Sequence, residues 1–332
     1  MAPTPTNVFI VRHGERIDHV SSSWQPDPAH GISDPPLSSF GHQQAEKTGN
    51  YLCELIQQRN MKPSQATIMI YTSPFQRCID TSIGIIKGMQ PFINSSQPPI
   101  IRLELGLSEW MSDQFFDQVY CSGSQFLSRH QVQLAQRQAM NYKLLQQQNN
   151  DSLLPPLTID YSYQSFTSQF NYPESYPDML KRFNDTRLHC LKYANYQLPR
   201  NYCNVTPSSI IVIMVTHAIG VNALLDAFQN IISRPIKTNY CCVSSLEYKS
   251  IPITSSSLSS SSSSSPTSYN QQSFKNRIRM EEMEAEEEVI VEEEEEEDLL
   301  WMETSICNNY VNQQKWVLDL TASDLHLTSI ST

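Results

Sequence analysis

Arg12-His13, Arg77, Glu109 and His217 are the residues of this 332-residue chain whose types combine into a recognisable chemistry. A guanidinium offers a rigid fork of donors that fits phosphoryl oxygens, and an imidazole is a nucleophile or a donor near neutral pH. A carboxylic acid can pass a proton to a departing oxygen. Two arginines, two histidines and an acid around one crevice would bind a phosphoryl group and transfer it through a covalent intermediate, which splits one hard displacement into two easier ones. Fixed cationic donors would carry the developing charge, so this chemistry requires no metal. The other histidines (His19, His30, His42, His130, His189 and His326) show no HxxxH, HExxH or cysteine pairing; neither a metal nor a cofactor is expected. No GxGxxG or GxxxxGK[ST] stretch supports dinucleotide or P-loop binding.

These residues need elements that bring them together, and each follows an apolar run. Val8–Val11 reads as a strand ending at Arg12-His13-Gly14, and Ala66–Tyr71 as a strand running into Thr72-Ser73-Pro74. Ile100–Leu103 precedes Glu109, and Ser209–Val215, apolar at nearly every position, stops at Thr216-His217. Helices are expected between them: from Ser38 or Ser39 to about Arg59, after Pro74 at a first turn, and over Ala218–Ile232. Tyr240–Tyr248 and Lys315–Leu320 read as later strands, with Cys241 and Cys242 pointing to opposite faces of the first. Strands alternating with helices predict an α/β three-layer sandwich with a mostly parallel central sheet, whose ligand lies beyond the carboxyl ends of its strands. Residues 112–198 hold a Gln-rich helix around 125–148 and a second helix near 176–196, and are expected to form a lid.

In order along the chain, Val11-Arg12-His13-Gly14-Glu15-Arg16, Ser73-Pro74-x-x-Arg77, Leu107-Ser108-Glu109-Trp110 and Val215-Thr216-His217-Ala218 resemble the blocks of the histidine phosphatase, or phosphoglycerate-mutase-like, superfamily. Asp34-Pro35-Pro36-Leu37, Gly41 and Gln44-Ala45 extend the resemblance, and Glu174-Ser175 before a helix is most similar to the branch with the ecdysteroid-phosphate phosphatases and the suppressors of T-cell-receptor signalling. The resemblance implies that His13 is the nucleophile, that Arg12, Arg77 and His217 hold the phosphoryl oxygens, and that Glu109 is the general acid and base. Arg16 is a further substrate-binding candidate: it could line the pocket mouth or pair with Glu15 or Asp18 at the surface. The expected activity is hydrolysis of a phosphomonoester through phosphohistidine on His13, with phosphotyrosine or another aryl or apolar phosphate as substrate. Trp24, Trp110, Phe115, Phe116 and Tyr120 are candidate packing partners for that leaving group. A phosphoglycerate-mutase-type phosphotransferase and a weakly catalytic phosphate-binding scaffold are the alternatives; few bases in 112–198 speak against the first.

Composition bounds the rest. The formal net charge is -11, but thirteen of the 34 acids fall between Glu281 and Asp298, against three bases in 254–298, so the other 21 acids face 20 bases. The acidity belongs to a Ser-rich and Glu-rich insert at 254–298, which is expected to be disordered, while residues 6–253 and 299–330 form the folded domain. No broad basic surface suggests nucleic acid, and no apolar run approaches a membrane span. Eight cysteines without CxxC spacing read as reduced thiols, which gives a cytoplasmic location, with the nucleus as a further compartment. Expected partners are a phosphorylated small molecule or phosphoprotein, a second copy of the chain, and a basic partner for the acidic insert.

Overall fold

Seven strands form one mixed, mostly parallel sheet in the computed structural model, which describes residues 5–94, 97–146, 157–196, 209–250 and 314–328. The strands are β1 (Asn7–Arg12), β2 (Ala66–Thr72), β3 (Ile100–Leu103), β4 (Thr158–Ile159), β5 (Ser209–Thr216), β6 (Val243–Ser250) and β7 (Gln314–Ser323), in the order β4-β3-β2-β5-β1-β6-β7. β5 lies between β2 and β1 and is parallel to both, whereas β6 is antiparallel to β1 and to β7. The helices are α1 (Ser39–Gln58), α2 (Gln76–Met89), α3 (Gly123–Gln146), α4 (Tyr176–Tyr196) and α5 (Ala218–Gln229). The insert expected at 254–298 lies outside the described residues.

Alternation along the central strands divides the core into two layers. Phe9 and Val11 with Ile211, Ile213 and Val215 pack under α1 and α2, while Val8 and Ile10 with Ile210, Val212 and Met214 pack under α4 and α5. Strands covered on both faces are apolar throughout, which is why β1 and β5 stand out in the sequence. α4, inside the stretch expected to be a lid, is therefore one of these covering helices: Met179, Phe183 and Cys190 are fully buried against the sheet.

Boundaries moved where a turn intervenes. α5 ends at Asn230, whose φ of 53° puts it in the left-handed region. Cys241 and Cys242 are not on a strand; Cys241 has φ 52° in the turn before β6, and both thiols are fully buried. Pro74 precedes the N-cap Phe75 of α2 instead of opening the helix. The six described cysteines are free, and among the described residues no helix is long and apolar enough to cross a membrane.

Candidate active site

The four polar segments meet at the carboxyl ends of β1, β2, β3 and β5. Parallel pairing fixes this: Arg12 is in register with Thr216, and Thr72 with Val215 and Leu103. The backbone N–H of His13 donates to the Thr216 carbonyl at 2.9 Å, and that of Ser73 to the Val215 carbonyl at 3.0 Å, which ties the loops to the strand between them. Gly14 lets the chain turn against α1, since a Cβ there would lie 2.7 Å from the Gly41 carbonyl oxygen. Its N–H donates to Thr81 Oγ1 at 3.0 Å and that of Glu15 to Gln44 Oε1 at 2.9 Å, while Ser38 caps α1 by accepting from the Gly41 N–H.

His13 is almost completely buried, at 1% exposure. Its Nδ1 is 2.8 Å from the Gly14 carbonyl oxygen, which can only accept, so Nδ1 carries the hydrogen and Nε2 keeps its lone pair. Burial, then Arg77, His217 and Arg12, hold this imidazole well below the usual histidine range. The His217 ring stands edge-on to it at 5.3 Å. Around His217, Ser73 Oγ lies 3.0 Å from Nε2, while Arg77 Nη2 and Glu109 Oε2 lie 3.1 and 3.2 Å from Nδ1. Burial pushes His217 down to about 4. Burial opposes ionisation of Glu109, but His217, Arg77 and Arg16 together hold it well below the usual carboxylate range. Cys78 Sγ is 3.7 Å from His217 Nε2, yet burial pushes its thiol up, so it supplies no thiolate.

Arg77 is 2% exposed and partly committed: Nη2 is 3.4 Å from Glu109 Oε2, and Nη1 is 3.8 Å from Asp34 Oδ1. Its Nε and Nη1 have no hydrogen-bond partner among the described residues. A buried guanidinium with unsatisfied donors is costly unless something acidic meets it. Arg12 donates through Nη1 to the Thr238 carbonyl and stacks 4.3 Å over the Tyr240 ring.

Arg16 pairs with Asp18, Nε to Oδ1 at 3.0 Å and Nη2 to Oδ2 at 2.5 Å, yet its charge contributes to lowering both His217 and Glu109. Of the two positions weighed for it, the pairing with Asp18 is the one the structure shows. Trp110 and Phe116 are core residues, at 6% and 7% exposure; Trp110 Nε1 donates to the Glu174 carbonyl. Phe115 and Tyr120 are exposed. Sequence reasoning missed Ser73, Asp34, His130 and Tyr240. Asp34 accepts from the Gln76 N–H at 2.8 Å and faces His130 Nε2 at 2.9 Å; Asp34-Pro35-Pro36 and Ser73 lay inside noted motifs, but nothing in the sequence marked Tyr240.

The ligand atoms of His13, Glu109 and His217 all lie within 4.8 Å of one another, so among the described residues these three could hold a divalent ion. The Arg77 guanidinium, 3.1 Å from His217 Nδ1, sets a positive charge against any cation there. The same arrangement favours an anion: three cationic or donor side chains face a neutral imidazole whose free nitrogen can attack.

The model for the histidine phosphatase superfamily (branch 1) matches residues 8–110, which contain Arg12, His13, Arg77 and Glu109. The transcription factor tau 55 kDa subunit of Saccharomyces cerevisiae is 36% identical over 104 residues, 31% of this chain and 20% of that protein. The ecdysteroid-phosphate phosphatase of Drosophila melanogaster is 29% identical over 131 residues, 32% of this chain and 16% of that protein. The chain thus matches a fifth or less of the length of these two curated relatives. Among solved structures, mycobacterial hydrolase 1 is 15% identical with a TM-score of 0.40, covering 75% of this chain and 92% of that one. A phosphoglycerate mutase from Bacillus anthracis is 13% identical with a TM-score of 0.40, covering 74% and 90%. With their Arg-His-Gly loop, buried arginine and acidic loop, residues 8–110 of the chain are similar to the histidine phosphatase superfamily, branch 1.

Proposed function

We propose that the protein hydrolyses phosphomonoesters through a phosphohistidine on His13, without a metal, and that aryl phosphates such as phosphotyrosine are its substrates. The observation that carries this is the state of His13: its Nδ1 is committed to a carbonyl, its imidazole is held neutral, and Arg77 acts on it with a buried Nε and Nη1 that have no hydrogen-bond partner among the described residues. In the first displacement Nε2 forms a bond to phosphorus as the ester oxygen leaves with the bonding pair. Arg12, Arg77 and His217 hold the oxygens on which charge spreads, and Glu109 gives a proton to the leaving oxygen. In the second, Glu109 takes a proton from water, whose oxygen displaces the imidazole and releases inorganic phosphate. The name of the Drosophila relative, a phosphatase, supports hydrolysis over mutase transfer.

Rapid acid and alkali quench of the protein with a radiolabelled aryl phosphate tests this. Alkali-stable, acid-labile label on wild type and none on His13→Ala is the expected result; label elsewhere, or turnover by His13→Ala, would overturn it. A second reading is favoured by the yeast relative, which is named as a transcription-factor subunit: a scaffold that binds phosphate without turnover. Retained affinity for an aryl phosphate with neither label nor product would select that reading.

A further inference from the structure

Beside the proposed catalytic centre, and sharing Arg12 with it, is a cavity of about 560 Å³. It is lined by Arg12, His19, Lys237, Asn239, Tyr240 and, from the end of the described chain, Asp324 with its neighbours. Topology puts it at the same end of the sheet as His13. β6 runs antiparallel to β1 and β7 antiparallel to β6, so the residues before Val243 and those after Ser323 both flank the carboxyl end of β1. Two residues form the partition. Arg12 belongs to both spaces, and Tyr240 stacks under the Arg12 guanidinium with its ring centroid 5.7 Å from that of His13. The Tyr240 hydroxyl is fixed at 2.6 Å from His19 Nδ1. A phosphoryl group held by Arg12 at His13 therefore has this cavity next to it, and the volume is of the size that holds a small organic ligand.

Charge narrows what fits. Asp324 is engaged by Asn239 Nδ2 at 2.6 Å, and Arg12, whose Nη1 donates to the Thr238 carbonyl and whose guanidinium stacks on Tyr240, is assigned to the phosphoryl group. Lys237, exposed on the cavity wall, has no ion-pair or hydrogen-bond partner among the described residues. Burial and Arg16 lower His19, which leaves it neutral as the acceptor for the Tyr240 hydroxyl. We propose that this cavity is the leaving-group subsite, that Tyr240 and Lys237 determine specificity there, and that they select aryl phosphates carrying a second acidic group. The ring would lie along Tyr240 and the acid would meet Lys237. This rests on the phosphomonoesterase reading, and it moves the specificity surface from the lid aromatics to the 237–240 loop and the chain end.

Two ligands that differ only in the acid separate the possibilities: phenyl phosphate and 4-carboxyphenyl phosphate, bound to full-length His13→Ala protein by calorimetry and turned over by wild type. Wild-type geometry should favour the carboxylated ligand by about ten-fold, the value of one charge-assisted contact, and Lys237→Glu should remove or invert that preference. Lys237 is exposed, so the substitution leaves the core intact. Tyr240→Phe, which loses the bond to His19 but keeps the ring, should retain the preference. Equal affinities in wild-type geometry, or a preference that survives Lys237→Glu, would overturn the subsite and leave the catalytic reading standing. Absence of turnover with the Lys237-dependent preference intact would overturn the catalytic reading and support the cavity as a binding site.

Discussion

Glu109 in the free protein is ionised, the wrong state for giving a proton to a leaving oxygen, because His217 and Arg77 stand 3.2 and 3.4 Å from Oε2. In the proposed mechanism an incoming phosphomonoester supplies the correction. Its charge takes up the interactions of Arg77 and His217, and the carboxylate, no longer stabilised, accepts a proton. The monoester monoanion brings that proton with it. Turnover of an alkyl phosphate, whose leaving oxygen must be protonated, should therefore rise as pH falls from 7.5 towards 5.5, whereas that of 4-nitrophenyl phosphate should change little. Glu109→Gln should cost about 10²- to 10⁴-fold in kcat on the alkyl ester and far less on the nitrophenyl ester; equal losses on both would refute the acid role. The clustered His13, Glu109 and His217 donors make metal dependence a measurable matter. Dialysis against a strong chelator should leave kcat on 4-nitrophenyl phosphate unchanged, and loss with recovery on adding zinc would reassign these residues as ligands. The five principal residues were legible because each is a polar side chain that follows an apolar strand. Ser73 and Tyr240 were not, since their roles come from contacts with His217 and Arg12 far away in the chain.

At the level of elements, Glu109, the proposed acid, is only as well placed as the loop between β3 and α3 that carries it. Arg182 on α4 fixes that loop. Its Nε and Nη2 donate to the Glu174 carboxylate at 2.7 and 2.8 Å, Nη1 to the carbonyls of Gly106 and Ser108 at 2.7 and 3.1 Å, and Nη2 to that of Glu109 at 3.2 Å. Glu174 in turn accepts from the Met111 N–H at 3.2 Å. Arg182→Ala would leave a buried carboxylate unpaired and three carbonyls without this donor, for a loss of about 3 kcal/mol in urea unfolding. Arg182→Lys keeps the charge but not the fork, so its losses should fall mainly on turnover of alkyl esters, the reaction that depends on Glu109. A uniform loss across esters would instead mark a general folding defect. This clamp explains what the sequence could not show. A helix was legible near 176–196, where α4 lies, but its apolar stripe faces the sheet through Met179 and Phe183, while a polar residue on the same helix reaches the loop of Glu109. The two-residue β4 is too short for any periodic signal, and the turn at Cys241 hides inside an apolar run because a buried thiol tolerates either setting.

Across the whole molecule, the histidines that serve the site also decide how it tolerates acid. His217 and His326 are pushed down to about 4, both by burial, and His13 well below the usual value. His326 holds the chain end on α1, with Nε2 at 2.9 Å from Thr48 Oγ1 and its ring stacked 4.5 Å from Tyr51, so the wall of the proposed subsite depends on it too. An unfolded histidine takes up its proton near pH ~6.5, whereas folded His217 and His326 resist it until about 4. Between those limits the unfolded chain binds more protons, so stability must fall as pH drops. For the fully buried His217 the shift corresponds to about 3 kcal/mol. Glu109, held low in the fold, adds a loss of the same sign as pH falls through the ordinary carboxylate range. Urea unfolding midpoints should therefore decrease steadily from pH 7.5 to 4.5. In His326→Phe, which keeps the ring against Tyr51 but removes one titrating group, the decrease should be shallower; equal slopes in the two proteins would show that the docked chain end does not sense pH. Burial and its cationic neighbours hold the proposed nucleophile, His13, well below the usual histidine range, so the acid limit of turnover should coincide with unfolding, and the activity and unfolding curves should move together when the stability of the fold is changed.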